Sequence, residues 1–271
     1  QESNGFPKEA IEYLINPEET EIEKRKHRED VEYLINVFHD AKEYGSILEV
    51  KPVDFNTIER RLEEIRNGKT RDLFEYQYRD IILKKIPPLV KQAKIMSQKY
   101  DVVCTNPPYM GQGNMTKKLI IYIEDKFQCS KGDFYSLFID LCAWFCKDHM
   151  YVSMITQHSW MFVSSYESLR NYILNNTYIC SLIHLGPRAF EEISGEVVQT
   201  VAFILRKVLC KDYSGTYYKL DDIKNSKEKE LQYLSKINRR YIAKISDCSI
   251  IPGKPIAYWA SEKILLTFNN K

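Results

Sequence analysis

The sequence predicts an α/β fold, a mixed and mainly parallel sheet preceded by a helical region, and three observations carry that expectation. From about residue 7 to residue 99, apolar residues recur at helical spacing. After residue 100 the period changes, and short β-branched runs alternate with helical stretches, which is the pattern of an α/β domain. Between the first two of these runs, residues 134–146 carry Leu137, Phe138, Leu141, Ala143, Trp144 and Phe145, an apolar density expected of a helix packed on a sheet.

Taken in order, Val31, Leu34, Phe38 and Ala41 share one helical face, with Gly45 just beyond as a C-terminal cap. Asp54 or Asn56 caps a second helix whose apolar positions are Ile58, Leu62 and Ile65, and Gly68 stops it. A third run, from about 71 to 99, is interrupted at Pro87-Pro88. The charge-rich stretch 21–30 reads as a solvated helix face. Strands are expected at 101–104, 150–155, 179–184, 197–205 and 216–220, with a crossover helix at 165–175 between the second and third. Residues around Ile250-Ile251-Pro252-Gly253-Lys254-Pro255 read as a linker. The chain thus divides into a helical region at 1–99, an α/β region at 100–248 and a linker at 249–271.

Composition excludes several classes. With 44% hydrophobic and 28% charged residues the chain is an ordinary globular one. Its net charge of +2, from 39 basic and 37 acidic residues, leaves any attraction to nucleic acid to local clustering. Cys104, Cys129, Cys142, Cys146, Cys180, Cys210 and Cys248 are odd in number, lack a Cys-x-x-Cys pair and fall mostly in apolar runs, which predicts buried thiols in a reducing cytoplasm. The five histidines show no zinc-ligand spacing, so no metal is expected. No run approaches the ~18 apolar residues of a membrane span, and the first residues have no signal-peptide pattern. A polar start without Met reads as a piece of a longer chain.

The chemistry gathers at Asn106-Pro107-Pro108-Tyr109, directly behind the apolar run Asp101-Val102-Val103-Cys104. The plain alternative is an extended turn closing a strand, because each residue before a proline is pushed out of the helical region. The loop also suits a planar amine. The lone pair of an exocyclic amine on adenine is delocalised into the ring, and two acceptors, the Asn106 side-chain oxygen and the Pro107 carbonyl, would favour a more tetrahedral nitrogen. Pro107 and Pro108 fix φ and remove competing N–H donors. Tyr109 offers a face for the base, whose stacking, worth ~1–3 kcal/mol, helps offset its extrusion from a duplex.

This loop resembles motif IV of the amino-methylating DNA methyltransferases. The segments Asp133-Phe134-Tyr135-Ser136-Leu137-Phe138, Tyr151-Val152-Ser153-Met154-Ile155-Thr156 and Ser164-Ser165-Tyr166-Glu167-Ser168-Leu169-Arg170 follow in the order of that family. Residues 184–200, beginning His184-Leu185-Gly186-Pro187-Arg188-Ala189-Phe190 and ending Val197-Val198-Gln199-Thr200, resemble the PglX-type adenine-specific methyltransferases of BREX phage-defence systems, as does Ile251-Pro252-Gly253-Lys254-Pro255-Ile256-Ala257-Tyr258-Trp259. The resemblance covers about residues 40–260. It implies a partial Rossmann-like methyltransferase sheet, methylation of adenine N6 in double-stranded DNA, S-adenosylmethionine as donor, and a bacterial defence or restriction-modification setting in which other defence proteins are partners. The chain departs from the family in having no glycine-rich turn upstream of Asn106, where Gly5, Gly45 and Gly68 stand far apart. Only a partial cofactor site, shared by Asn106, is expected, so the chain reads as an internal fragment that leads into a missing target-recognition region. Gly111-Gln112-Gly113 reads as a flexible continuation of the loop.

Trp160 and Phe162, past the second strand, stand where open α/β sheets bind ligands, and either contacts the substrate or packs in the core or a lid. Arg188, a candidate phosphate or base contact, and Phe190, a candidate second stacking face, follow the third strand. His158 and His184 read as structural. Lys117, Lys118 and Lys126 are phosphate contacts or a solvated face. Glu196, Gln199 and Thr200 read as supports of the site. Two other functions compete: methylation of a protein glutamine, whose amide nitrogen is likewise planar, and a non-catalytic module that binds DNA or a partner on the same scaffold.

Overall fold

A computed structural model of the chain describes residues 2–130, 132–190, 198–235 and 239–269. It divides into two compact units, Gln1–Gln98 and Lys99–Lys271.

The first unit contains α1 (Lys8–Leu14), α2 (Glu21–Val37), α3 (Ala41–Tyr44), α4 (Phe55–Asn67) and α5 (Leu73–Ser97). Thr20 and Glu23 form a reciprocal capping box at the start of α2, and Asp54 accepts the Thr57 N–H at the start of α4. Val31, Leu34, Phe38 and Ala41 are buried together, yet they do not lie on one helix. Asp40 takes a left-handed φ of 55°, which ends α2 and restarts the chain as α3. The expected interruption at Pro87-Pro88 is also corrected, because α5 runs through both prolines. Each proline deletes one backbone donor at a cost of about 3 kcal/mol. Ile82, Ile86, Leu89, Val90 and Ala93 are buried along the same helix, and apolar burial worth about 1.5–3 kcal/mol for each large side chain outweighs that cost.

The second unit is built on a six-stranded sheet among the described residues: β1 (Tyr100–Thr105), β2 (Cys146–Gln157), β3 (Tyr178–Gly186), β4 (Thr200–Arg206), β5 (Gly215–Lys219) and β6 (Arg240–Ala243), in the order β1-β2-β4-β3-β5-β6. The sheet is mixed. Strands β1, β2, β3 and β5 point one way, with β4 and β6 antiparallel to their neighbours. The helices α6 (Lys117–Lys126), α7 (Phe134–Phe145), α8 (Glu167–Asn176), α9 (Ser226–Ser235) and α10 (Glu262–Asn269) complete the unit. All five expected strands are present. Val197, where the fourth was expected to begin, lies outside the described residues.

The chain after residue 248 departs from the linker expectation. Ile256 and Tyr258 are fully buried, the Ile256 N–H donates to the Met161 carbonyl at 2.9 Å, and the Tyr258 ring stacks on Tyr217 with centroids 4.9 Å apart. An apolar trio with an aromatic at its end finds unfilled core against β5, which a short-range reading of Pro and Gly does not register. The cysteines also divide. Cys142, Cys146 and Cys248 are buried, but Cys104, Cys129 and Cys210 are exposed, Cys104 because β1 is an edge strand. No described helix is long and apolar enough to cross a membrane.

Candidate active site

Because β1, β2, β3 and β5 run in one direction, the loops leaving them emerge at one edge of the sheet, where open α/β sheets carry their sites. The Asn106–Tyr109 loop leaves β1 there. Asn106 and Pro108 are exposed, Pro107 is buried and Tyr109 is half-buried. The Tyr109 ring meets Tyr135 of α7 edge to face, with centroids 6.0 Å apart and planes at 85°. Tyr135 is fixed in turn by a 2.7 Å hydrogen bond between its hydroxyl and Ser159 Oγ, and its ring lies 6.0 Å from that of Tyr166. Burial raises the phenol pKa of both Tyr109 and Tyr135. The Tyr109 hydroxyl is buried and has no hydrogen-bond partner.

Asp133 ties the far end of the loop down. Its Oδ1 accepts from Met110 N at 3.3 Å and from Tyr135 N at 3.2 Å, while the Phe134 N–H donates to the Met110 carbonyl at 3.0 Å. One carboxylate thus caps α7 and pins the loop to that helix. Asp133, Tyr135 and Ser159 were not expected as site residues. Asp133 and Tyr135 stand inside a segment that carries the family resemblance, but their contacts to Met110 and Tyr109 span more than twenty residues and leave no local signal.

The other expected residues fall into three groups. Trp160 is fully buried against Phe203, with centroids 5.2 Å apart, so its expected role as a substrate contact is corrected. The short helical turn Ser159–Met161 swings its ring under the sheet. Arg188 is exposed and Phe190 half-buried in the turn that follows β3, at the same edge of the sheet as Asn106. Arg188 has a left-handed φ of 58°. Phe162 lies among the rings of His158, His184 and Trp259 at 5.4–5.8 Å. Lys117, Lys118 and Lys126 stand on the exposed face of α6. Glu196 lies outside the described residues. The Gln199 carbonyl accepts from His158 N at 2.8 Å, and buried Thr200 bridges Gln157 of β2 and Gly186 of β3.

His158 and His184 form a pair, with Nδ1 of the first 2.7 Å from Nε2 of the second, and Nδ1 of His184 lies 3.2 Å from the Tyr258 hydroxyl. One imidazole donates and the other accepts, so at most one of the two rings can carry a proton on both nitrogens. Burial pushes both pKa values down, that of His184 to about 4.

Asn106, Tyr109, Tyr135 and Asp133 supply one wall of a site at this edge of the sheet. A Cβ on Gly111 would come no nearer than 3.8 Å to Asp133 Oδ2, and one on Gly113 would meet nothing within 4 Å, so no protein atom crowds either glycine. β1 is the edge of the sheet, with Val102 61% exposed.

Comparison with known proteins sets this geometry in a family. The Eco57I restriction-modification methylase family matches residues 9–190. An adenine-specific methyltransferase PglX from Lacticaseibacillus casei (strain Zhang) is 35% identical over 235 residues, covering 84% of this chain and 19% of that protein. An adenine-specific methyltransferase BrxX from Escherichia coli O9:H4 (strain HS) is 34% identical over 232 residues, covering 86% of this chain and 19% of that protein. The chain therefore spans about a fifth of the length of the curated relatives it matches. A type I restriction-modification methyltransferase subunit from Streptococcus thermophilus is similar in structure with a TM-score of 0.41 and 15% identity, over 58% of this chain and 37% of that chain. With the family match taking in most of the helical unit and the sheet through the turn after β3, the chain belongs to the Eco57I restriction-modification methylase family.

Proposed function

We propose that this chain is the base-gripping part of an adenine-specific DNA methyltransferase of the PglX type, which methylates adenine N6 in double-stranded DNA, in the cytoplasm, as part of a phage-defence or restriction-modification system. S-adenosylmethionine is the donor. The observation that carries this reading is the Asn106–Tyr109 loop at the carboxyl edge of the sheet, with an exposed amide at one end and a ring braced by Tyr135 at the other. Asn106 Oδ1 and the Pro107 carbonyl accept the two N–H groups of the target amine. Tyr109 stacks on the extruded base, and Asp133 keeps the loop from relaxing when the base leaves. Phe190 supplies a second face, and Arg188 meets the DNA.

A second reading starts from the open edge of β1, where Val102 is 61% exposed and offers a binding surface. On that reading the chain binds DNA or a defence partner without acting on it. Substitution of Asn106 by Ala in the full-length protein separates the two. Loss of adenine methylation with unchanged duplex affinity is the expected result, and methylation that survived Asn106→Ala would overturn the assignment.

A further inference from the structure

Helix α9 is held to the sheet in an unusual way. Of its residues Ser226–Ser235 only Lys229 is buried, at 3% exposure, while Leu231 and Leu234 are 66% and 64% exposed. Its one ring contact to the sheet among the described residues is Tyr233 edge to face on Tyr218, with centroids 4.8 Å apart, and Tyr233 itself is 38% exposed. Its buried attachment is the Lys229 ammonium, which donates its three hydrogens to the carbonyls of Leu185, Leu220 (2.9 Å) and Ile223 (2.7 Å). No carboxylate pairs with it among the described residues, and Asp221 and Asp222 act on it only from a distance. A buried cation without an ion-pair partner is a costly way to fasten a helix, and a leucine would do that work at less cost.

The position of the carbonyls shows what the cation does instead. The β3–β5 ladder ends at His184 and Lys219, with one further bond from Leu220 N to the His184 carbonyl, so the Leu185 carbonyl points beyond the ladder. Lys229 joins it to the turn after β5. The next residue, Gly186, has φ +67°, and a Cβ there would lie 2.5 Å from Asp221 Cα, so the two chain segments are in backbone contact. Pro187 follows with a fixed φ, then Arg188 in a left-handed conformation. Only a glycine, where any side chain would be strained, and a proline separate the clamped carbonyl from Arg188.

We infer that Lys229 is a positioning residue for DNA: by drawing the Leu185 carbonyl onto the Leu220–Ile223 turn, it fixes the direction in which Arg188 leaves the sheet toward a phosphate or base edge. This rests on the DNA-binding reading given above. A lysine that merely stabilised the fold would act independently of Arg188, whereas a positioning residue acts through it.

The test is a double-mutant cycle in the full-length protein, reading affinity for a mixed-sequence DNA duplex together with the thermal unfolding midpoint. Arg188→Ala and Lys229→Met are each expected to weaken binding about tenfold, and the double variant is expected to bind no more weakly than Arg188→Ala alone. Effects that multiply, to about a hundredfold in the double variant, would overturn the role of Lys229 and leave the DNA reading standing. Unchanged binding by Arg188→Ala would overturn the roles given to Arg188 and Lys229 and leave the Asn106 reading standing. Should Lys229→Met fail to fold, Lys229→Arg takes its place in the same cycle, because a planar guanidinium keeps the charge but does not converge three donors on one point. The same non-additivity is then expected, and multiplying effects again overturn the inference.

Discussion

Tyr135 stands between Tyr109 and Ser159, its ring against the edge of the first at 6.0 Å and its hydroxyl bonded to the second at 2.7 Å. Two loops that leave neighbouring strands are thereby coupled through one side chain of α7. The ring that braces Tyr109 moves only if the start of the Ser159–Met161 turn moves with it.

The buried hydroxyl of Tyr109 has no partner in this arrangement. An unsatisfied buried donor costs about 1–3 kcal/mol, so Tyr109→Phe is expected to raise stability by about 1 kcal/mol, read as a higher urea midpoint at constant slope. Tyr135→Phe, which breaks a made bond and orphans Ser159 Oγ, is expected to lower it by about 1 kcal/mol. Opposite signs for the same chemical change at adjacent rings are the diagnostic result.

Arg170 is fully buried and donates to the carbonyls of Trp160, Val163 and Gly253, which joins α8 to the turn after β2 and to the turn before Ile256. Arg170→Met leaves those acceptors dry and is expected to cost more than about 3 kcal/mol in chemical denaturation. Arg170→Lys is expected to recover little, because a single ammonium does not reach three separated carbonyls as a planar fork does.

Gly186→Ala combines a left-handed φ with a collision against Asp221 backbone at 2.5 Å. The expected cost exceeds about 2 kcal/mol, and the amides around Leu185 and Leu220 should exchange with solvent faster in hydrogen-exchange measurements.

Stability is expected to fall as the solution is acidified from the ordinary histidine pKa of 6.5 toward the value of about 4 held by His184. In that window the unfolded chain binds a proton that the folded one refuses, so the contribution is fully present above 6.5 and lost as pH drops, by up to about 3 kcal/mol. Denaturant melts at intervals from pH 7 to 4 measure it. The double substitution His158→Gln, His184→Gln is expected to flatten that part of the curve, whatever it does to stability at neutral pH.

The sheet and the Asn106–Tyr109 loop were legible because both are written in short spans: alternating β-branched runs, and four consecutive residues whose side chains suit one task. The prolines of α5 misled for the same reason. Their local penalty is visible in the sequence, whereas the packing of Ile82, Ile86 and Leu89 that overrides it is tertiary. Trp160 illustrates the limit at the site. Its place after β2 was read correctly, but whether its ring faces a ligand or Phe203 is decided by one short helical turn. Lys229 gave no sign, and Tyr258, though inside a family-like segment, read as linker, since their partners Leu185 and Tyr217 lie some forty residues away.

The place of Tyr258 bears on how the second unit comes into being. A chain emerging from the ribosome delivers β1 to β5 well before the ring that stacks on Tyr217 and touches His184. Until that ring arrives, the core beneath β5 is open to water, and the histidine pair has one of its hydrogen-bond neighbours missing. Translation must run past residue 258 before this core is complete, and a nascent protein stalled short of that point would carry every described strand of the sheet and still expose the Tyr217 face to chaperones and proteases.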